Sequence, residues 1–212
     1  MWLRRVGKPL VFVAAFAPFA LLVASALRLG GLTLGANPVA TFTEELGLWG
    51  LRLLLATLAL TPLRYLTGSA RWLLFRRMLG LFAYFYLALH FTMYLAVDQS
   101  LHLSVLVEDV VKRPWITLGF AALVMLTPLA LTSTRAAMRW LGRRWQTLHY
   151  AIYPAAVCGV WHYYWQVKRD VRDPLLYAAV LALLLGWRLL RAVQRRSRRL
   201  AATAPLADRV RA

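Results

Sequence analysis

Residues 78–97 read MLGLFAYFYLALHFTMYLAV, twenty positions with no Asp, Glu, Lys or Arg and a single histidine, His90. A helix of that length rises about 30 Å, the thickness of a bilayer's hydrocarbon layer, so the run predicts a transmembrane helix. Outward from it, five more windows share this character: residues 9–29, 48–66, 115–132, 148–167 and 174–190. The links between them are too short for a soluble domain. The expectation is an all-α membrane protein of six transmembrane helices, one integral domain over residues 1–212, with residues 191–212 as a basic tail.

Composition agrees. The chain has 212 residues, 61% hydrophobic and 16% charged, where a soluble domain carries about 45–50% apolar and about 25% charged residues. An ordinary soluble enzyme is excluded, and so is a disordered basic protein, which would lack the apolar content. A net charge of +18 would suit a nucleic-acid binder, but here the basic residues lie between apolar runs. The lone cysteine, Cys158, allows no internal disulfide, no thiolate iron–sulfur cluster and no C-x-x-C-H attachment of a c-type haem. It reads as a small apolar filler.

The basic residues set the orientation. With a cytoplasmic N-terminus, 19 of the 26 Lys and Arg fall inside, among them Arg64, Arg71, Arg76, Arg77, Arg135, Arg139, Arg143, Arg144 and eight arginines from Arg188 onward. Seven of the eight acids, with Lys112, Arg113, Lys168 and Arg169, fall outside. Both termini are therefore expected in the cytoplasm. Arg4, Arg5, Lys8, the apolar run and Ala24-Ser25-Ala26 also fit a cleavable signal peptide, whose removal would leave five spans in the same orientation. The Arg-rich tail has a competing use in gripping anionic lipid or a cytoplasmic partner.

Ionisable groups inside a membrane are costly and point to function. His102 falls in the predicted outer loop 98–114 and reads as solvated. Counting 1.5 Å per residue puts His90 roughly 4 Å beyond the midplane towards the outer face, and His162 about 6–8 Å beyond it. Two imidazoles at similar depth on neighbouring helices suit the axial positions of a b-type haem. The bland reading is that they hydrogen-bond across helices and bind nothing. His149 lies 13 residues before His162, about 20 Å closer to the inner face, and an ideal helix turns it to another side unless Pro154 changes the phase. Trp161, Tyr163, Tyr164 and Trp165 fit an interfacial belt, with a haem edge as the sharper alternative. The inner arginines read as topology anchors, with haem propionates or a flavin phosphate as alternative partners.

Several stretches carry a family likeness. They are Arg76-Arg77-Met78-Leu79-Gly80-Leu81 leading to Leu87-Ala88-Leu89-His90, Lys112-Arg113-Pro114-Trp115-Ile116-Thr117-Leu118-Gly119, and Leu131-Thr132-Ser133-Thr134 through Gly142-Arg143-Arg144-Trp145-Gln146-Thr147-Leu148-His149-Tyr150 to His162-Tyr163-Tyr164-Trp165. With Leu60-Thr61-Pro62-Leu63-Arg64 and Gly30-Gly31-Leu32, they make nearly the whole chain resemble the MsrQ (YedZ) family, haem-binding membrane subunits of the bacterial MsrPQ methionine sulfoxide reductase systems. The resemblance implies a ferric-reductase-like six-helix bundle in the bacterial inner membrane, with haem b, an associated FMN and an electron-transfer role. Electrons would come from the quinone pool or a cytoplasmic flavin reductase. They would pass to MsrP, a periplasmic molybdenum-cofactor enzyme that repairs oxidised proteins and itself carries the substrate chemistry. The family's essential histidines match His90, His149 and His162; His90 and His162 are the expected axial ligands of the haem iron, with His149 as a candidate second ligand site. Wider ferric reductases and NADPH oxidases carry two histidines on each of two helices, whereas here Arg77 stands 13 residues before His90. The chain also has no soluble NADPH or FAD domain. Without a protein partner the same residues would describe a standalone ferric or quinone reductase, and without a cofactor a structural membrane subunit.

Overall fold

Asn37 and Pro38 start the helix around which the others are arranged. The Asn37 side chain accepts a hydrogen bond from the Ala40 amide at 3.2 Å, and Pro38 stands at the helix start, where its missing N–H costs nothing. The computed structural model of the chain describes residues 3–98, 101–167 and 170–210, and among these every long element is an α-helix. In order they are α1 (Lys8–Ala26), α2 (Pro38–Thr67), α3 (Arg76–Met93), α4 (Leu103–Lys112), α5 (Pro114–Leu131), α6 (Arg135–Leu141), α7 (Arg143–His149), α8 (Ile152–Gln166) and α9 (Arg172–Val210). Lys168 and Arg169 of the predicted outer charges, Gln99 and Ser100 of the predicted outer loop, and Arg211 and Ala212 of the tail lie outside the described residues.

Among the described residues five helices are long and apolar enough to cross a membrane: Arg5–Ala26, Pro38–Thr67, Arg76–Val97, Pro114–Leu131 and Arg172–Arg198. They correspond to the first four predicted windows and the sixth. The second begins ten residues earlier than read, so Glu44 and Glu45 lie on its opening turns. The fifth window, 148–167, is not one helix. The chain breaks between His149 and Ile152, leaving α8 with 15 residues. Pro154 explains the break. It offers no N–H to the carbonyl of Tyr150 four residues back, and the Tyr153 amide takes that carbonyl instead at 3.1 Å.

The predicted outer loop is also partly wrong, because Leu103–Lys112 is helical. Leu103, Leu106, Val107, Val110 and Val111 recur at helical spacing, a pattern too short to register as a span. Asp109, 5% exposed, pins α4 in place: it accepts from the Tyr94 hydroxyl at 2.6 Å and pairs with Arg113 at 3.0 Å.

α2 is the central post. Leu46, Leu51, Leu54 and Leu58 are buried along it, and it packs against α1, α3, α8 and α9. The two most extensive helix pairings are α2 with α3 and α5 with α8. Lipid tails are as apolar as leucine, so close packing and polar ties hold such helices together. Two of those ties repair prolines. Pro18 interrupts α1, and the hydroxyl of the fully buried Tyr86 enters there, accepting from the Phe19 amide at 2.9 Å and donating to the Ala15 carbonyl at 2.9 Å. A regular helix would join those two groups directly. Pro62 leaves the Leu58 carbonyl of α2 without its intrahelical donor, and Arg188 of α9 donates to it at 2.8 Å. The same guanidinium donates to the Tyr153 hydroxyl at 2.9 Å, tying α2, α8 and α9 at one level.

Candidate functional site

Antiparallel packing puts the C-terminal turns of α3 and α8 beside the N-terminal turns of α2 and α5, at the end of the bundle that carries Glu44, Glu45, Glu108 and Asp109. His90 of α3 and His162 of α8 meet there. Their ring centres are 6.2 Å apart and their planes are inclined by 74°. Each ring is held the same way. His90 Nδ1 lies 2.8 Å from the Thr43 carbonyl of α2, and His162 Nδ1 lies 2.7 Å from the Trp115 carbonyl of α5. A carbonyl only accepts, so Nδ1 carries the proton and donates. The neutral ring then has its lone pair on Nε2, the form in which imidazole binds a metal.

A second feature repeats with the first. Four residues after Thr43 is Gly47, and four residues after Trp115 is Gly119, so each carbonyl and its glycine share a helix face. A Cβ on Gly47 would come 3.0 Å from His90 Nδ1, and one on Gly119 would come 2.9 Å from His162 Nδ1. Each histidine reaches its carbonyl across a gap that only glycine leaves. The two helix pairs, α2 with α3 and α5 with α8, thus build the same socket twice and turn the sockets towards each other.

The spacing fits one metal between two imidazoles. A ligating nitrogen stands about 2.0 Å from its metal and about 1.1 Å from its own ring centre, so opposed imidazoles have ring centres about 6.2 Å apart. Among the described residues no three His, Cys, Asp or Glu side chains gather at one point. The two imidazoles alone would hold a metal only with its remaining positions filled by another group, which is the ligand set a haem iron would take. The sequence reading singled out both histidines. It missed Thr43, Gly47, Trp115 and Gly119, whose parts are played by backbone atoms and by a missing Cβ.

His149 is elsewhere. It closes α7 at the opposite, arginine-rich end, with its Nδ1 2.9 Å from the Trp145 carbonyl and its ring stacked on the Trp145 indole at 3.8 Å between centres. The indole N–H donates to the Thr132 carbonyl at 2.9 Å, which fixes the stack against the end of α5. Arg76 interacts electrostatically with both His149 and Arg188. His102 is exposed just before α4 and takes no part in the paired site. Trp161, Tyr164 and Trp165 are exposed on α8, as an interfacial belt requires, while Tyr163 turns inward onto Tyr177 at 5.6 Å. Cys158 is a free, half-buried thiol.

Residues 46–160 match the family model described as "Ferric reductase like transmembrane component". The chain is 51% identical over 185 residues to the "Protein-methionine-sulfoxide reductase heme-binding subunit MsrQ" of Xanthomonas axonopodis pv. citri (strain 306), covering 86% of this chain and 85% of that relative. It is likewise 51% identical over 193 residues to the protein of the same name from Rhodospirillum rubrum, covering 91% of each. No solved structure matches. The matched region contains His90 and His149 and ends at Val160, two residues before His162; the relatives' longer overlaps take in most of the chain.

Proposed function

The chain belongs to the MsrQ family of ferric-reductase-like transmembrane components, and we propose on that premise that it is a membrane b-type cytochrome subunit serving a methionine sulfoxide reductase. The observation that carries the reading is the pair of opposed sockets, with His90 and His162 at 6.2 Å and each Nδ1 on a helix carbonyl. A haem bound there supplies reversible one-electron chemistry near one face of the membrane. His90 and His162 would hold its iron. Thr43 and Trp115 select their tautomer and hold their planes, and Gly47 and Gly119 let them sit close enough to do so.

The orientation of the molecule in the membrane follows from the positive-inside rule. The arginine-rich end faces the cytoplasm and the paired histidines face the periplasm, in the inner membrane, with α8 completing a sixth crossing. Donors are the quinone pool or a cytoplasmic flavin reductase, reaching the protein near His149 and Trp145, with FMN as a second cofactor. His149 remains the candidate for a second ligand site. The acceptor is a periplasmic MsrP-like molybdoenzyme, which reduces oxidised methionine in proteins.

Haem content of the detergent-purified protein tests the central assignment. His90→Ala and His162→Ala should each remove most of the haem, while His102→Ala should retain it at the same monodispersity. Haem content unchanged in either of the first two would overturn the ligand pair. A stoichiometry near two haems per chain would give His149 an iron to bind.

A further inference from the structure

At the arginine-rich end, a cleft of about 630 Å³ opens between the last turns of α2, the start of α8 and the middle of α9. Its polar wall is Arg188, Arg191 and Arg195, with Arg196 at the margin, and no carboxylate lines it. Its other walls are Tyr65, Tyr153 and Trp187, with Leu185 and Leu189 below. The volume is that of a small-molecule site.

The arginines are held in place by aromatic rings. Arg191 lies over Tyr65 at 5.2 Å and over Trp187 at 5.3 Å, and Arg195 lies over Tyr65 at 5.7 Å. A guanidinium that rests on a ring face can still use its in-plane N–H donors: Arg195 spends one on the Tyr65 hydroxyl, and a phosphate would take others. Arg188 is fixed by Tyr153 and Leu58, yet its Nε is buried and has no hydrogen-bond partner, and neither has the buried Thr61 hydroxyl beside it. Buried donors without partners are uncommon, and those on a cationic group are costlier still. Arg191, Arg195 and Arg196 are exposed around the cleft, so the gathered like charges make a mouth that attracts an anion.

We infer that this cleft binds the phosphate headgroup of an anionic phospholipid, with Arg188, Arg191 and Arg195 on the phosphate and Tyr65, Tyr153 and Trp187 against the apolar part. Planar guanidinium forks match phosphate oxygens in bidentate fashion, and several around one site favour phosphate over a single carboxylate. Two sources share this chemistry. One is the headgroup of an anionic phospholipid, since basic pockets between membrane helices on the cytoplasmic side take such headgroups. The other is free inorganic phosphate, which would leave the tyrosine and tryptophan faces uncovered. The inference concerns the cleft alone and stands apart from the paired-histidine reading.

The test uses the full-length protein, delipidated in detergent, with Arg191→Gln/Arg195→Gln as the variant; Arg188 is left in place because it ties three helices. Phosphatidylglycerol is titrated by native mass spectrometry, and inorganic phosphate is the competitor. Loss of two charge-assisted contacts should weaken binding roughly tenfold or more. Haem content should not change. Arginine-dependent binding of the lipid that phosphate displaces only in large excess supports a headgroup site, and displacement at matched concentration overturns it in favour of free phosphate. Equal binding by wild type and variant, or no binding of the lipid, overturns the inference. Haem content reads the cytochrome assignment and lipid binding reads the cleft, so the two readings fail separately.

Discussion

At the residue scale, a hydrogen atom in place of a methyl group decides the site. Gly119 has His162 Nδ1 2.9 Å from where its Cβ would stand, and the other face of that ring nitrogen is committed to the Trp115 carbonyl. Gly119→Ala pushes the ring off its carbonyl and out of line with His90. Partners behind a metal ligand are commonly worth about 10–100-fold in affinity, so haem retention in Gly119→Ala should fall within that range. Gly186→Ala on α9 is the matched control, because a Cβ there meets nothing within 4 Å. Equal haem retention and identical spectra in the two variants would show that the close approach has no part in ligation.

At the element scale, prolines shape the helices and other helices repair them. The Tyr86 hydroxyl bridges Phe19 and Ala15 where Pro18 interrupts α1, and it is fully buried. Tyr86→Phe keeps the ring's packing and deletes both hydrogen bonds. Leaving buried polar groups unpaired costs about 1–3 kcal/mol, so thermal unfolding in detergent should begin at a clearly lower temperature. An unchanged transition would mean that α1 is held by packing alone. Pro154 acts differently, since nothing bridges its gap and the chain instead parts into α7 and α8. That break frees His149 from the helical phase of His162 and lets it stack on Trp145 at the other end of the bundle.

At the scale of the whole molecule, the number of crossings sets where the C-terminus lies. Five helices meet the length for a span, while α8 has 15 residues and rises about 22 Å. If α8 crosses as the sixth, Arg71 and Ser197 face the same compartment and Ser104 faces the other. In a Cys158→Ala background, an impermeant thiol reagent applied to the outside of cells should label Ser104→Cys but neither Arg71→Cys nor Ser197→Cys. Labelling of Ser197→Cys from outside would leave α8 short of a crossing and put the C-terminus outside.

Much of this was legible in the chain itself. Apolar runs such as 78–97 announce spans because a bilayer demands length and the absence of charge, both one-dimensional properties. His90 and His162 stood out for the same reason: an imidazole among twenty apolar residues is conspicuous, and 1.5 Å per residue gives its depth. Tertiary structure alone decided the rest. Which carbonyl meets each Nδ1, and that Gly47 and Gly119 make room for it, depends on backbone atoms brought from another helix, and every residue carries the same backbone. The break before Ile152 and the helix from Leu103 to Lys112 depend on local geometry that a window sized for a membrane averages away. The arginines from Arg188 onward read as anchors because sequence counts charge. Folding α9 against α2 and α8 gathers three of them around one cleft with aromatic walls, and charge without location could not have revealed that.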